Sequence, residues 1–282
     1  MDNEQLRLIC ETALREAHFA LEKTGQEGFE EVETEKDIVT KGDLAVSEAL
    51  KEYFKKSGIP ARIDSEELGQ LDMSENPEFR IVVDEIDGTK NFETGKGTLP
   101  YCTAVAIFGK VEKPRFDDCE VAGIIEHRSG HVWIATREGG CYYNDRLCRP
   151  SNRRQLDRKT VVVIDLYQSS GAFQGLGEVI GSGWPGDFKS AALHLAGVAS
   201  GMFGAYVNPG NKPDELGAGY RLVKENEGTI LLWDGTNLGN AVYDRNKTYP
   251  IVAAGSEDIA RDVLRKIPED IREEAMRKAG FA

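Results

Sequence analysis

The chain has 282 residues, of which 35 are basic and 48 acidic, so its formal charge at pH 7 is −13. This negative balance disfavours non-specific binding to a nucleic acid polymer or to an anionic membrane surface. Hydrophobic residues form 40% of the chain, which at this length can build a core without disulfides or a structural metal. The five cysteines are odd in number and include no CxxC pair, so we expect free thiols. With no signal-peptide pattern and no apolar run of about 20 residues, we expect a cytoplasmic protein.

The first half of the chain begins with helices and continues with strands. Apolar residues at helical spacing predict amphipathic helices over residues 4–23 and 43–56. Asp43 is well placed to be the N-cap of the second helix, and Gly58 and Pro60 would end it. Short apolar segments predict strands at 61–64, 80–83, 103–108, 121–126 and 132–136, the last two joined by a hairpin turn at 128–130.

A polar stretch near residues 150–158 divides the sequence, and we interpret it as a boundary between a domain at 1–150 and a domain at 151–282. The second half again mixes both kinds of element. Strands are predicted at 160–164, 205–207, 229–231 and 251–254, and helices at 188–200, from Pro213 to Val223 and at 258–267. This mixture predicts a layered α/β or α+β fold.

Residues 80–92 carry the most specific chemical pattern, in which an apolar strand runs into Asp84 and Asp87 and then into Gly88. The ends of strands are where α/β folds place groups that bind ligands. Carboxylate oxygens suit Mg²⁺, which also takes water and substrate phosphate as ligands. Gly88 permits a close approach of the backbone, and a helix that starts after it could offer N–H groups to a phosphate. Two further acidic pairs stand at residues 66–67 and 214–215.

In their order along the chain, these segments resemble the inositol monophosphatase family, the lithium-sensitive, magnesium-dependent phosphatases that include fructose-1,6-bisphosphatases and nucleotide 3′-phosphatases. Residues 84–92 match the family motif D-P-I-D-G-T-x-N-F except at Glu85, and Lys90 replaces the Thr or Ser that is usual at the x position. Four other segments resemble further motifs of the family: residues 37–43 (D-[LI]-V-T-x-x-D), 65–67 (G-E-E), 189–192 (G-[ST]-A-A, with Lys189 for Gly) and 213–219 (W-D-x-A-[AG]-G, with Pro213 for Trp). The resemblance covers roughly residues 30–265.

The resemblance implies a five-layered αβαβα sandwich of the sugar-phosphatase type, a homodimer, and two to three bound Mg²⁺ ions, with Mn²⁺ as an alternative. The metal ligands that it implies are Glu66, Glu67, Asp84, the carbonyl of Ile86, Asp87 and Asp214. Thr89 and Asp43, together with Glu66, would activate the attacking water, and the threonine hydroxyl would act as a relay. The substrate would contact Asp87, Gly88, Thr89, Asp187, Lys189, Ser190 and Ala191.

The activity implied is hydrolysis of a small sugar or inositol phosphate by metal-activated water, with inositol 1-phosphate ranked ahead of fructose 1,6-bisphosphate and a 3′-phosphonucleotide. The family's substrate-binding acid would fall near Val207 and Asn208, and neither is acidic, which weakens a strict preference for inositol. The D-x-D-G-T motif of haloacid-dehalogenase phosphatases is disfavoured, because Asp84 and Asp87 are one residue too far apart and would face opposite sides of a regular strand. A calcium-binding loop is disfavoured because the oxygen ligands do not alternate. A catalytically lapsed relative that acts as a binding or scaffold protein stays open.

Overall fold

A computed structural model describes residues 1–32, 39–165 and 175–281, which form fifteen strands and eight α-helices. The strands are Glu31–Val32 (β1), Val39–Thr40 (β2), Ala61–Ser65 (β3), Gly69–Asp72 (β4), Phe79–Asp87 (β5), Cys102–Phe108 (β6), Cys119–Glu126 (β7), His131–Thr136 (β8), Gly140–Tyr143 (β9), Arg146–Leu147 (β10), Val161–Ile164 (β11), Trp184–Gly186 (β12), Ala205–Asn211 (β13), Thr229–Leu232 (β14) and Tyr249–Ala254 (β15). The helices are Asn3–Thr24 (α1), Lys41–Ser57 (α2), Thr89–Gly95 (α3), Gly177–Ser182 (α4), Ala191–Ala199 (α5), Pro213–Glu225 (α6), Glu257–Lys266 (α7) and Glu269–Lys278 (α8).

The elements stack as five alternating layers of helices and sheets. Helices α1 and α2 cover one face of an eight-stranded mixed sheet of order β10-β9-β8-β7-β6-β5-β3-β4, and α6 covers its other face. Together with α5, α6 also packs on a five-stranded sheet of order β12-β11-β13-β15-β14, whose far side carries α7 and α8. Strand β6 lies inside this stack, and each of its residues is buried, as expected of a strand covered on both faces. The αβαβα sandwich is therefore confirmed.

Strand β5 contains a bulge at the point where its acidic residues begin. Asp84 pairs with Ala104 of β6 and Asp87 pairs with Cys102, so Glu85 and Ile86 together lie opposite the single residue Thr103. One extra residue in a strand breaks the alternation of side chains between the two faces. The expectation that Asp84 and Asp87 face opposite sides of the strand is therefore wrong. The bulge brings the two carboxylates within 4.8 Å of each other.

Two predicted helix starts differ from the structure. Helix α2 has Thr40 as its N-cap, and Asp43 is the third helical residue, where its carboxylate accepts the Thr40 N–H at 2.8 Å to complete a capping box. Helix α5 begins at Ala191 rather than at 188, because Ser190 is its N-cap and the preceding Lys189 has a φ of 53°. The C-terminus of α2 is as predicted, with Gly58 in the left-handed conformation.

All five cysteines are buried free thiols, as predicted. Among the helices of the described ranges, none combines the length and the apolar character that a membrane span needs.

The last strand of the larger sheet ends at Leu147 and the first strand of the smaller sheet begins at Val161. The division into two domains and the homodimer stay predictions. Residues 37 and 38 of the segment 37–43 lie outside the described residues.

Candidate metal centre and active site

Three carboxylates from distant parts of the chain meet between the two sheets. Asp84 and Asp87 come from the end of β5, and Glu215 comes from the first turn of α6. Oxygen atoms of the three side chains all lie within 4.8 Å of one another. Carboxylates converging this closely, with one contributed by another layer of the fold, form a candidate centre for a hard divalent cation.

The carboxylate of Asp87 is held by the start of helix α5. Its Oδ2 accepts hydrogen bonds from Ser190 Oγ at 2.6 Å and from the Ala192 N–H at 2.7 Å, and its Oδ1 accepts the Ala191 N–H at 3.2 Å. Ser190 and Ala191 were expected to contact the substrate, and the structure shows both engaged with this carboxylate. Their bonds connect strand β5 of the larger sheet to helix α5 of the middle layer and set the orientation of Asp87.

Asp84 is buried, and its Oδ1 finds no hydrogen-bond partner among the described residues. Buried carboxylate oxygens are rarely left without a donor or a cation. Burial, followed by the charges of Glu66, Asp87 and Glu215, raises the pKa of Asp84 well above its usual range. An unpartnered oxygen in this position is what a metal ligand shows when its cation is absent, so the residues present fit a divalent cation.

Burial raises the pKa of the neighbouring carboxyl groups as well. The pKa of Asp87 is about 6, and that of Asp214 is about 7, where the charge of Glu66 adds to the effect of burial. Burial and the charge of Asp87 raise the pKa of Glu215 well above its usual range. The cluster therefore holds negative charge that is poorly solvated and mutually repelling, and a bound cation would relieve both conditions.

Asp214 and Glu215 are adjacent at the start of α6 but have different surroundings. Asp214 Oδ1 accepts a hydrogen bond from the hydroxyl of Tyr243 at 3.0 Å. Glu215 Oε2 accepts one from Asn211 Nδ2 at 3.0 Å and reaches the β5 aspartates. The family resemblance implies Asp214 as a ligand and does not name Glu215, although the acidic pair at 214–215 was singled out, whereas the structure brings Glu215 together with Asp84 and Asp87. Consecutive residues of a helix point about 100° apart. The motif W-D-x-A-[AG]-G has six positions whereas residues 213–219 are seven, so an alignment on Gly219 instead of Pro213 puts Glu215 at the acidic position.

Glu66 and Glu67 lie in the turn between β3 and β4. Glu66 Oε1 is 2.7 Å from the ammonium of Lys212, which comes from the residue before α6. Glu66 also belongs to the electrostatic surroundings of Asp84, Asp214 and Asp43, because its charge raises the pKa of each. The structure thus places Glu66 at the edge of the cluster, and Glu67 follows it in the same turn.

The predicted water-activating residues lie beside β5. The hydroxyl of Thr89 donates a hydrogen bond of 2.8 Å to the carbonyl of Ile86, the backbone oxygen expected to bind metal. Asp43 Oδ2 accepts hydrogen bonds from the Thr40 N–H at 2.8 Å and the Thr40 hydroxyl at 2.6 Å. Burial raises the pKa of Asp43 to about 6. No hydrogen bond joins Thr89 and Asp43, both of which are described.

The backbone between β5 and α3 approaches the start of α5 closely. Gly88 has a φ of 90°, a backbone conformation that favours glycine. A Cβ atom there would also lie only 3.3 Å from the Lys189 carbonyl, a tight contact. Lys189 itself has a φ of 53°, the conformation that explains why a glycine stands at this position in the family motif. Asp187 accepts the Lys189 N–H at 2.7 Å, which closes the turn before α5.

Comparison with known proteins decides the family of the chain. The family model described as "Inositol monophosphatase family" matches residues 2–271. The chain belongs to the inositol monophosphatase family. Its members depend on metal ions, and their membership of a phosphatase superfamily agrees with the carboxylate cluster described above.

Individual relatives span most of the chain. The Nus factor SuhB of Escherichia coli is 27% identical over 239 residues, which cover 82% of this chain and 86% of that protein. The inositol-1-monophosphatase of Mesorhizobium japonicum is 26% identical over 245 residues, which cover 83% of this chain and 84% of that protein. The solved structure of inositol monophosphatase from Anabaena has a TM-score of 0.74 at 21% identity and covers 94% of this chain and 97% of its own. The last likeness establishes the shared fold.

Proposed function

We propose that this protein is a phosphomonoesterase that depends on a divalent cation, with Mg²⁺ as the expected ion, and acts on a small phosphorylated sugar or inositol. The observation that carries the proposal is the convergence of Asp84, Asp87 and Glu215 within 4.8 Å, with one buried Asp84 oxygen that has no partner among the described residues. These residues would hold the cation, with Glu66, Asp214 and the Ile86 carbonyl as further candidates. When bound, the cation supplies positive charge that lowers the pKa of water and offsets charge on the phosphate.

The chain's own residues would perform the remaining tasks. Thr89, whose hydroxyl is fixed by the Ile86 carbonyl at 2.8 Å, would orient the attacking water through its own oxygen. Asp43, with a pKa raised by burial to about 6, is ionised in large part at neutral pH and would accept the proton. The backbone at Gly88 and Thr89 would lie against the phosphate. Ser190 and Ala191 would act by holding Asp87 in place.

The family and the name of one relative support the proposed substrate class. Inositol 1-phosphate is our first candidate, because the Mesorhizobium japonicum relative is named inositol-1-monophosphatase. Fructose 1,6-bisphosphate and a 3′-phosphonucleotide are the alternatives. Asn208, near the place of the family's substrate-binding acid, is buried and donates hydrogen bonds to Asp165 and to the hydroxyl of Tyr206. Asn208 therefore binds the side chain of Asp165 in the interior, and it is not in a position to take the place of the family's substrate-binding acid.

A non-enzymatic binding role is the second candidate function. It is favoured by the name Nus factor that the Escherichia coli relative carries at 27% identity. The two roles make different demands on the carboxylates of Asp84, Asp87 and Glu215. A phosphatase needs these carboxylates for turnover, whereas in a lapsed relative they would contribute only to stability.

Phosphate release from a panel of esters tests the proposal. The panel holds inositol 1-phosphate, fructose 1,6-bisphosphate and 3′-phosphoadenosine 5′-phosphate, each with Mg²⁺ and with EDTA. Asp84→Asn is the inactive variant, and Asp234→Asn, which alters an exposed turn of the smaller sheet, is its matched control. We expect Mg²⁺-dependent release from one ester that is lost in Asp84→Asn and kept in Asp234→Asn. Absence of turnover from every ester by a folded protein would overturn the enzymatic proposal in favour of the binding role.

A further inference from the structure

Lys212 brings a positive charge to the edge of the carboxylate cluster. Its ammonium lies 2.7 Å from Glu66 Oε1, across a separation of 146 residues in the chain. Lys212 immediately precedes Pro213, the first residue of α6, so its backbone is fixed by the same helix start that delivers Asp214 and Glu215.

The charges around Lys212 are those of the candidate metal ligands. Burial opposes the charged form of Lys212, but the attraction of Glu66, Glu215 and Asp84 outweighs burial and raises the pKa of the ammonium. Conversely, the charge of Lys212 favours the ionised form of Asp84, Asp214 and Glu215. In the absence of metal, the positive charge of Lys212 therefore offsets part of the negative charge of the carboxylates, as a divalent cation would do more fully.

We propose that Lys212 is a resident counter-cation of the metal-free site and competes with the divalent cation, so that metal binding requires its ammonium to leave Glu66. This inference rests on the proposed function, because it takes the cluster to be a metal site. Two positive charges a few ångströms apart repel strongly at the effective dielectric constant of a protein surface. The Lys212 side chain is 39% exposed and that of Glu66 is 29% exposed, so their ion pair lies at an edge of the cluster that solvent reaches.

Two consequences follow for this protein. Its affinity for Mg²⁺ is lower than the carboxylates alone would give, because binding also breaks the ion pair. Its stability depends less on metal, because the lysine offsets part of the repulsion among the carboxylates when the metal is absent. In this proposal Lys212 tunes the affinity of the site for its metal and needs no contact with the substrate.

Calorimetric titration of Mg²⁺ into EDTA-treated protein tests the proposal without measuring turnover. Lys212→Met removes the charge at similar side-chain length, and Lys224→Met removes an exposed lysine of the same helix α6 with the same change in net charge. We expect Lys212→Met to bind Mg²⁺ about tenfold more tightly or better, with a larger rise in melting temperature on adding Mg²⁺. Lys224→Met should match the unaltered protein. Equal or weaker binding by Lys212→Met would overturn the proposal.

A second measurement uses the unaltered protein and does not depend on how the variant folds. Lysines are acetylated at limiting reagent, with and without Mg²⁺, and the peptides are quantified by mass spectrometry. Acetylation of Lys212 should rise several-fold on adding Mg²⁺, while that of Lys224 stays constant; an unchanged Lys212 would contradict displacement. Mg²⁺ binding that is identical in all variants overturns the role of Lys212 and leaves the proposed phosphatase intact. No Mg²⁺ binding by any of them overturns both.

Discussion

The hydroxyl of Ser65 donates a hydrogen bond to the carboxylate of Glu85, and both residues stand where the family motifs have something else. Ser47 of α2 donates a second hydrogen bond to the same oxygen at 2.8 Å. Glu85 is 1% exposed and lies between α2 and the larger sheet. Hydroxyl donors on two neighbouring elements therefore satisfy one oxygen of the glutamate that replaces proline in the central motif, whereas its Oε2 is buried and has no hydrogen-bond partner among the described residues.

A double-mutant cycle on Ser65 and Glu85 should reveal their coupling. Burial raises the pKa of Glu85 to about 7, so at pH 8 its carboxylate is mainly ionised and depends on its donors. We expect Ser65→Ala to lower the free energy of unfolding by about 1–3 kcal/mol at pH 8. Ser65→Ala/Glu85→Ala should lose about 1–3 kcal/mol less than the sum of the single variants, measured by urea unfolding. Additive losses would show that the pair does not interact in solution.

Ser190→Ala should weaken metal binding, because Asp87 then loses a donor that fixes its orientation. Loss of such an outer partner costs about 10- to 100-fold in metal affinity, which calorimetric titration of Mg²⁺ would measure. Ser190 is also the N-cap of α5, so some stability is lost as well. Ser256→Ala removes the N-cap of α7, far from the cluster, and is the control. An equal loss of Mg²⁺ affinity in both variants would make the effect one of helix stability alone.

Glu215→Gln and Asp214→Asn together identify the ligand on α6. Glu215 lies with the β5 aspartates, whereas Asp214 is bonded to Tyr243. We therefore expect Glu215→Gln to weaken Mg²⁺ binding by about tenfold or more, and by more than Asp214→Asn does. A large loss confined to Asp214→Asn would instead assign the ligand to Asp214, the residue that an alignment of the family motif on Pro213 indicates.

The buried His194 should make stability depend on pH below neutrality. Its Nε2 accepts the Phe188 N–H at 2.9 Å, and burial lowers its pKa from 6.5 to about 3. The groups that face it are Asp187, whose Oδ1 is 3.8 Å from Nε2, and the rings of Phe188, Phe203 and Tyr206. Between pH 6.5 and 3, the unfolded chain takes up a proton that the folded protein does not, so the free energy of unfolding falls as the pH falls.

The size of this effect can be measured with His194→Gln. Lowering the pH from 7.5 to 5.5 should cost the unaltered protein about 1.4 kcal/mol more than it costs the variant, the value for one histidine with these two pKa values. Urea unfolding at both pH values provides the comparison. His127 has a similarly lowered pKa and stays in both proteins, so its contribution cancels. Equal losses would mean that His194 takes up its proton in the folded state.

The amino-acid sequence by itself determined the family, the layered mixture of elements and most of the acidic residues at the site. Long elements with clear periodicity, such as α1 and the buried strand β6, are predicted almost to their ends. Several short or polar elements were missed, such as β1, β4, β9, β10, β12, α4 and α8. Their segments carry too little apolar pattern to be distinguished from loops, and they are ordered by their neighbours.

Only the tertiary structure decided which side chains meet. The bulge that brings Asp84 and Asp87 together arises from the pairing of β5 with β6, and nothing in residues 84–87 alone specifies it. The placement of Glu215, rather than Asp214, beside them depends on the rotation of α6 about its axis. The ion pair of Lys212 with Glu66 joins residues 146 positions apart. Spacing along the chain sets local geometry, whereas contacts between layers depend on strand register and helix packing, which many distant residues fix together.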